Sequence, residues 1–256
     1  MNLESLLEND VDEEQISEIR RLPLELQCQR LGVTLTTVPA IKLYPSEPVP
    51  EKLGTATGVR IDDFALEYFT QHGWKGDSTE GQLFSCINFA VYLKSLEAKY
   101  RLTDIYNRPP KKISPRMTAF IDRCFDELTV DYMVDCARQR GAFVNASSRP
   151  YMGSEPMHVA LESISLEFRK RCIELCVVKG GIIGSSDITL YRDGEVRLVE
   201  VKTEYDKLTP NQIGFILISL PHLGANYEVF RVDRRDPDRL RRKRRRSAER
   251  GKLAQA

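Results

Sequence analysis

The apolar positions in the first two thirds of the chain recur at helical spacing. Asp62 or Asp63 can cap a helix over the segment DFALEYFTQHG, which has an apolar stripe and a glycine, Gly73, at which the helix can end. A second helix is predicted to begin near Glu80. The same spacing predicts further helices over about 13–21, 116–128, 130–139 and 157–171, whereas residues 38–60 predict a loop with one or two short extended pieces.

The pattern then changes to that of strands. Alternating and β-branched residues, bounded by turn formers, predict strands over about 173–178, 188–191, 196–201 and 227–232. Asp193-Gly194 supplies the backbone freedom for a hairpin turn between the second and third strands. With a closing helix over about 210–220, the order from residue 157 onward is α-β-β-β-α-β. This order predicts an α/β fold in which helices pack against a mixed sheet.

One strand of the hairpin ends in polar residues on a face that is otherwise apolar. Val196, Leu198, Glu200 and Lys202 alternate and therefore share that face. A carboxylate and an ammonium at the end of an apolar face cost free energy to bury. Asp187 enters the preceding strand, so two carboxylates and a lysine can meet in a site that suits a hard divalent cation. The alternative is a strand whose polar end lies in solvent.

The net charge of +1 conceals an asymmetry along the chain. Residues 231–256 contain 12 Lys and Arg against 4 Asp and Glu, a balance of +8, whereas residues 1–230 have a balance of −7. Most of the basic charge lies in the run RRKRRR at 241–246. Such a run is a nuclear-import signal, a nucleic-acid-binding arm or a solvated end. The overall composition, 41% hydrophobic and 29% charged, is that of an ordinary globular protein.

The six cysteines are scattered among apolar residues, which predicts buried, reduced thiols. Cys172 and Cys176 are four residues apart, but no second pair has the spacing of zinc ligands, so a zinc site is not expected.

Two separated motifs resemble one family of nucleases. Asp187, followed after twelve residues by Glu200-Val201-Lys202, resembles the PD-(D/E)XK pattern, and GGIIGSSDITLYRDGEVRLVEVKTEYDKLTPNQ resembles a VRR-NUC domain. Upstream, ALEYFTQHGW and DSTEGQLF are similar to the Fanconi-associated nucleases, whose first catalytic glutamate falls on Glu80. Its position alone favours an acid that interacts with a helix amino terminus, whereas the resemblance implies a metal ligand.

The sequence departs from the family pattern at three places. Ser186 replaces a proline that shapes the turn before the first catalytic aspartate, and Ser78-Thr79 replaces His-Gly before the glutamate. Asn211 replaces a basic residue that the family uses for phosphate binding. The resemblance therefore implies a weaker preference for a 5′-phosphate end than the family shows.

The resemblance implies a restriction-endonuclease-like core with an N-terminal helical portion. It divides the chain into an N-terminal extension at 1–59, a helical part that carries the first catalytic glutamate at 60–150, a VRR-NUC core at 151–232 and a basic tail at 233–256.

The roles of the site residues follow from the resemblance and from charge. Asp187 and Glu200, with the carbonyl of Val201, are expected to hold Mg²⁺ or Mn²⁺, and Glu80 is expected to complete the metal site. This cofactor activates a water and neutralises charge on the phosphate.

Lys202 is expected to orient that water or to stabilise developing charge. Gln212, in the first turn of the closing helix, holds the lysine or the scissile phosphate, or is simply an exposed polar residue at a helix start. Further candidates for DNA contact are Lys207, Arg241, Arg242, Lys243 and Arg244.

The resemblance implies a structure-specific DNA endonuclease that cuts branched or 5′-flap DNA, with 5′-to-3′ exonuclease activity, in DNA repair including that of interstrand crosslinks. Together with the basic run at 241–246, it predicts a location in the nucleus. Two alternatives remain open. One is a Holliday-junction resolvase of the same superfamily, and the other is a DNA-binding module that has lost catalysis.

Overall fold

A computed structural model describes residues 3–8, 12–39, 61–77, 82–100, 102, 112–143, 154–180 and 186–233. The predicted ligand Glu80 and the basic residues Arg241, Arg242, Lys243 and Arg244 lie outside these residues. Within them, no helix is long and apolar enough to span a membrane.

A five-stranded mixed sheet forms the centre of the fold, which confirms the predicted α/β class. Its spatial order is β1-β5-β4-β3-β2. The outer strand β1 runs parallel to β5, and β5 runs parallel to β4, whereas β3 is antiparallel to both β4 and β2. The strands are β1 (Thr34–Pro39), β2 (Lys75–Asp77), β3 (Ile188–Arg192), β4 (Glu195–Thr203) and β5 (Asn226–Asp233).

Helices account for most of the remaining described residues. A π-helical turn, Phe215–Ser219, joins the helix Pro210–Gly214 to the helix Leu220–Leu223. The α-helices are α1 (Leu3–Glu8), α2 (Glu13–Arg21), α3 (Leu24–Leu31), α4 (Ile61–Gln71), α5 (Gln82–Glu97), α6 (Pro115–Glu127), α7 (Val130–Phe143), α8 (Ser154–Ser163), α9 (Leu166–Lys179), α10 (Pro210–Gly214) and α11 (Leu220–Leu223).

Both faces of the sheet are covered, and β4 shows this most clearly. Val196 and Leu198 belong to the larger hydrophobic core, which includes α5, α6 and α9. Val199 and Val201, on the opposite face, pack in a second cluster with Phe64 and other residues of α4. A strand that is buried on both faces is apolar along most of its length. Because alternate residues share a face, Glu200 and Lys202 lie on the same side as Val196 and Leu198, which is the side of the larger core.

The predicted strand at 173–178 is wrong, because these residues form the second half of α9. Ser165 caps this helix by accepting a hydrogen bond from the Phe168 N–H at 3.1 Å, and Gly180 ends it with φ of 77°. Helices α1, α5, α6 and α11 surround α9, so its second half is apolar on nearly every side. Such a segment cannot be distinguished from a buried strand by periodicity.

Other boundaries also differ from the prediction. The single helix predicted over 157–171 is two helices, α8 and α9, which are separated at Ile164 and Ser165. The order from there onward is α-α-β-β-α-β rather than α-β-β-β-α-β. Strand β1 includes Val38 and Pro39, which the sequence pattern places in a loop. Because β1 pairs in parallel with β5, part of the predicted N-terminal extension belongs to the sheet. All six cysteines are buried and free, as expected.

Gly76 allows the edge strand β2 to approach β3. A Cβ at this position would lie 2.5 Å from the backbone oxygen of Thr189 and 2.7 Å from a methyl group of Leu190. We therefore predict that Gly76→Ala lowers the free energy of unfolding by about 1–3 kcal/mol, because the strand must shift to relieve the clash. Urea denaturation measures this change.

The matched control is Gly214→Ala in α10, where the new Cβ would meet only Ile16, at an ordinary contact distance of 3.7 Å. Because alanine favours a helix over glycine, this variant is expected to be as stable as the wild type or more stable, by up to about 1 kcal/mol. Equal stability of Gly76→Ala and the wild type would contradict the close approach.

Candidate active site

A tight hairpin turn sets the register that brings Asp187 to β4. Asp193 and Gly194 both have positive φ, 51° and 81°, as a type I′ turn requires. The turn pairs Ile188 with Val199, so Asp187 lies beside the end of β4. Its Oδ2 accepts a hydrogen bond from the backbone N–H of Val201 at 2.7 Å. The first predicted ligand is thereby fixed against the strand that carries the second.

Glu200, Lys202 and Gln212 form one hydrogen-bonded group. The Lys202 Nζ donates to Glu200 Oε1 at 2.5 Å and to Gln212 Oε1 at 3.2 Å. The side-chain amide of Gln212 also donates to Glu200 Oε1. The structure thus brings together the predicted acid, base and amide, and it places Asp187 next to them.

A capping box at the start of α10 positions Gln212. The Thr209 hydroxyl accepts a hydrogen bond from the Gln212 backbone N–H at 3.3 Å, and Gln212 Oε1 accepts one from the Thr209 N–H at 2.8 Å. The orientation of the Gln212 side chain is therefore fixed both by the helix terminus and by its hydrogen bonds within the site. Gln212 is not simply an exposed polar residue, which was the alternative interpretation.

The polar end of β4 is buried, which makes the solvent-exposed alternative wrong. The exposed fraction of Glu200 is 2% and that of Lys202 is 8%. Both side chains lie on the face of β4 that meets the larger core, directly beyond Leu198. A buried ion pair does not by itself stabilise a fold, because desolvation offsets the attraction. Its burial is therefore better explained by chemistry than by stability.

Burial raises the pKa of both carboxyl groups. The pKa of Glu200 rises to about 8, first because the group is desolvated and then because the negative charge of Asp187 is close, although Lys202 acts in the opposite direction. Burial also raises the pKa of Asp187, and the carboxylate of Asp62 on α4 adds to this effect. Even with Lys202 nearby, the two carboxyl groups resist being ionised together unless a further cation, such as a metal ion, is bound.

This electrostatic state fits a divalent metal ion. Two adjacent carboxylates that are costly to ionise together become favourable ligands when a cation balances their charge. Among the residues that the structure describes, no group of three or more His, Cys, Asp or Glu residues forms a complete metal site. Asp187 and Glu200 are two of the predicted ligands, and the predicted third, Glu80, lies outside the described part of the chain.

A buried glutamine from the N-terminal part supports the loop that follows β4. Gln27, with an exposed fraction of 0%, donates to the backbone oxygens of Ile19 and Arg20 at 3.1 and 3.2 Å. Its Oε1 accepts a hydrogen bond from the Leu208 N–H at 2.9 Å. The N-terminal helices therefore hold the segment between β4 and α10 in place.

Sequence reasoning missed several neighbours of the site. The sequence pattern offers Asp62 or Asp63 only as a helix cap, gives no role to Gln27 or Thr209, and places Tyr227 only in a strand. The buried Tyr227 hydroxyl has a pKa well above its usual range because of burial and of the charges of Glu200 and Asp187. The capping-box spacing of Thr209 and Gln212 was the signal that identifies one of these residues from sequence.

The remaining predicted residues are placed as follows. Lys207 is exposed, and its Nζ donates to the backbone oxygen of Arg21 at 3.2 Å. Asn211, where the family has a basic residue, is exposed in the first turn of α10. Ser186, in place of the family's proline, is buried, and its hydroxyl donates to the backbone oxygen of Ile188 at 3.0 Å. A local hydrogen bond thus shapes the turn that leads into β3.

The chain is similar to two crystal structures of paFAN1, each bound to 5′-flap DNA with a gap. The complex with a 2-nucleotide flap has a TM-score of 0.46 and 18% identity, covering 77% of this chain and 42% of that one. The complex with a 1-nucleotide flap has a TM-score of 0.49 and 18% identity, covering 91% of this chain and 46% of that one. The chain thus spans less than half the length of these structures. No family model and no curated protein matches the sequence.

The raised pKa of Glu200 predicts a specific pH dependence of stability. The unfolded chain releases this proton near the ordinary value of 4.5, whereas the folded protein retains it up to about pH 8. The folded state therefore binds more protons in this window, and its stability falls as pH rises. In a metal-free buffer, we expect the free energy of unfolding to decrease by on the order of 2–4 kcal/mol between pH 5 and pH 8.

Glu200→Gln removes the titrating group and keeps its shape, so it is expected to lose most of this dependence. Urea denaturation of both proteins at the two pH values gives the comparison. A difference in stability between wild type and variant that stays constant with pH would contradict the raised pKa.

Proposed function

We propose that this protein is a metal-dependent, structure-specific DNA endonuclease whose site consists of Asp187, Glu200, Lys202 and Gln212. The observation that carries the proposal is a buried ion pair, Glu200 with Lys202, beside the half-buried carboxylate of Asp187 at one end of a sheet. Perturbed, buried carboxylates in such an arrangement favour function over structure. The resemblance of the two sequence motifs to those of nucleases supports DNA phosphodiester hydrolysis among metal-dependent reactions.

Asp187 and Glu200, with the carbonyl of Val201, would hold the Mg²⁺ or Mn²⁺ ion, and Glu80 would add a further carboxylate. When bound, the ion would supply an activated water and would neutralise charge on the reacting phosphate. The hydrogen bond from the Val201 N–H fixes the orientation of the Asp187 carboxylate beside Glu200. Glu200 must release its proton to bind the ion, so metal binding is expected to strengthen as pH rises.

Lys202 has a defined orientation before any substrate arrives. Of the three N–H donors of its ammonium group, two are used by Glu200 and Gln212 within the described structure. The third donor is available to the attacking water or to a phosphate oxygen. A fixed positive charge at this position stabilises negative charge that develops on the phosphate. Gln212 holds the lysine in place and is its positioning residue.

The substrate class that we propose is branched DNA, with a 5′ flap as the first substrate to test. The proposal includes 5′-to-3′ trimming, action in DNA repair including interstrand crosslink repair, and location in the nucleus, which the run 241–246 would direct. The exposed, uncharged Asn211 is expected to give a weak preference for a 5′-phosphate end.

The first prediction is that the purified protein cleaves 5′-flap DNA in Mg²⁺ or Mn²⁺ and not in EDTA. Asp187→Ala and Lys202→Ala are each expected to reduce kcat by at least about 100-fold, because each removes a group on which charge stabilisation depends. Cleavage of labelled flap DNA on denaturing gels measures the rates, and circular dichroism verifies folding.

Asp122→Ala, which removes an exposed carboxylate of α6, is the matched control and should retain the wild-type rate. Activity that persists in Asp187→Ala would overturn the assignment of the site. Symmetric nicking of four-way junctions without cleavage of flaps would instead indicate a junction resolvase.

A second prediction separates an enzyme from a DNA-binding module without catalysis. Calorimetric titration with Mn²⁺ at pH 8 should detect a site in the wild type that disappears in Asp187→Ala. Glu80→Gln should weaken this site or reduce the number of bound ions, since a carboxamide is a poorer ligand than a carboxylate. The Asp122→Ala protein should titrate like the wild type. Binding of flap DNA without any Mn²⁺ site dependent on Asp187 would support the inactive module.

A further inference from the structure

The turn after β4 holds an aromatic side chain next to the proposed site. Asp206 closes this turn, since its Oδ2 accepts hydrogen bonds from the Thr203 N–H at 2.7 Å and from the Thr203 hydroxyl at 2.6 Å. The Asp206 N–H in turn donates to the Thr203 backbone oxygen at 3.3 Å. Tyr205 lies inside this closed turn, so its backbone is fixed by the hydrogen bonds around it.

Tyr205 points away from the protein. Its exposed fraction of 77% is the largest of any large hydrophobic residue in the described part of the chain. Within that part, it takes part in no hydrogen bond or ring contact. An aromatic ring gains much free energy when it is covered. A fixed turn that presents such a ring to solvent is therefore suited to binding a flat, apolar surface.

The backbone of Tyr205 lies close to the proposed reaction centre. Tyr205 is three residues beyond Lys202, and three residues span at most about 11 Å even when fully extended. On the other side, Lys207 is bonded to the Arg21 backbone and Leu208 to Gln27, so the segment leads directly to the capped start of α10 and Gln212. The turn thus connects β4, which carries Lys202, to α10, which carries Gln212.

We propose that Tyr205 stacks on an unpaired nucleobase of the DNA substrate beside the scissile phosphate. This inference rests on the proposed nuclease function and adds a positioning residue to it. Glu204 and Asp206 flank the ring, and their carboxylates disfavour a direct contact of this turn with a phosphate. Stacking on a base requires no positive charge and tolerates any sequence, as cleavage that depends on DNA structure demands.

The test uses 5′-flap DNA that carries 2-aminopurine as the first unpaired base. Binding is followed by its fluorescence in EDTA, where no cleavage is expected, and cleavage is then measured in Mg²⁺. Tyr205→Ala is expected to raise Kd by about tenfold and to abolish the fluorescence change on binding, whereas Tyr205→Phe retains both because it keeps the ring. Tyr92→Ala on α5, where the ring is 37% exposed, is the matched control and should behave like the wild type.

The outcomes distinguish this inference from the proposed function. If the wild type binds and cleaves the flap while Tyr205→Ala matches it in Kd, fluorescence and rate, stacking is overturned and the nuclease assignment stands. A loss in Tyr205→Phe equal to that in Tyr205→Ala would also overturn stacking, since the hydroxyl would then be the important group. If the wild type neither binds nor cleaves flap or four-way junction DNA, the proposed function fails and this inference fails with it.

Discussion

The buried ion pair of Glu200 and Lys202, with the half-buried Asp187 beside it, is the constraint on which the rest of the structure depends. Burial and the negative charge of Asp187 raise the pKa of Glu200, and Lys202 opposes this rise only in part. A fold gains little stability from such an arrangement, because desolvation is costly. The surrounding elements must therefore position these groups firmly, and they do so from three parts of the sequence.

The hairpin, the capped helix and the N-terminal part each fix one component. The type I′ turn at Asp193-Gly194 sets the register that brings Asp187 to the Val201 N–H. The capping box holds Gln212 where it meets Lys202. Helices α2 and α3 hold the connecting loop through Gln27, while β1 extends the same sheet. The N-terminal segment is therefore part of the site's support rather than an appendage.

The sequence predicts those parts of the fold in which local chemistry and tertiary packing agree. Alternation along β4 and the Asp-Gly step predict the hairpin, and Glu200 and Lys202 are recognised because they interrupt an apolar face. The strand predicted at 173–178 fails because α9 is buried on nearly every side and has no polar face to reveal its period. Strand β1 escapes prediction because its extended conformation is fixed by pairing with β5, almost two hundred residues away in sequence, and only Val38 of the strand is buried.

The site itself was only partly predictable, for the same physical reason. Residues near each other in sequence, such as Glu200 and Lys202, can be placed on one face by periodicity alone. The contribution of Gln27, or the charge of Asp62 beside Asp187, depends on tertiary contacts that no local pattern encodes. The predicted role of Glu80 came from the resemblance of its motif, because its position alone favours a helix-terminal acid.

The central claim is that Asp187 and Glu200 form a metal-binding pair in a nuclease site. A crystal structure of the protein grown in Mn²⁺, with anomalous diffraction measured at the manganese edge, tests it most directly. The account predicts an anomalous peak about 2.1 Å from oxygens of both carboxylates, with Lys202 beside it. A map without a peak at this position, or with Mn²⁺ bound only elsewhere, would contradict the account.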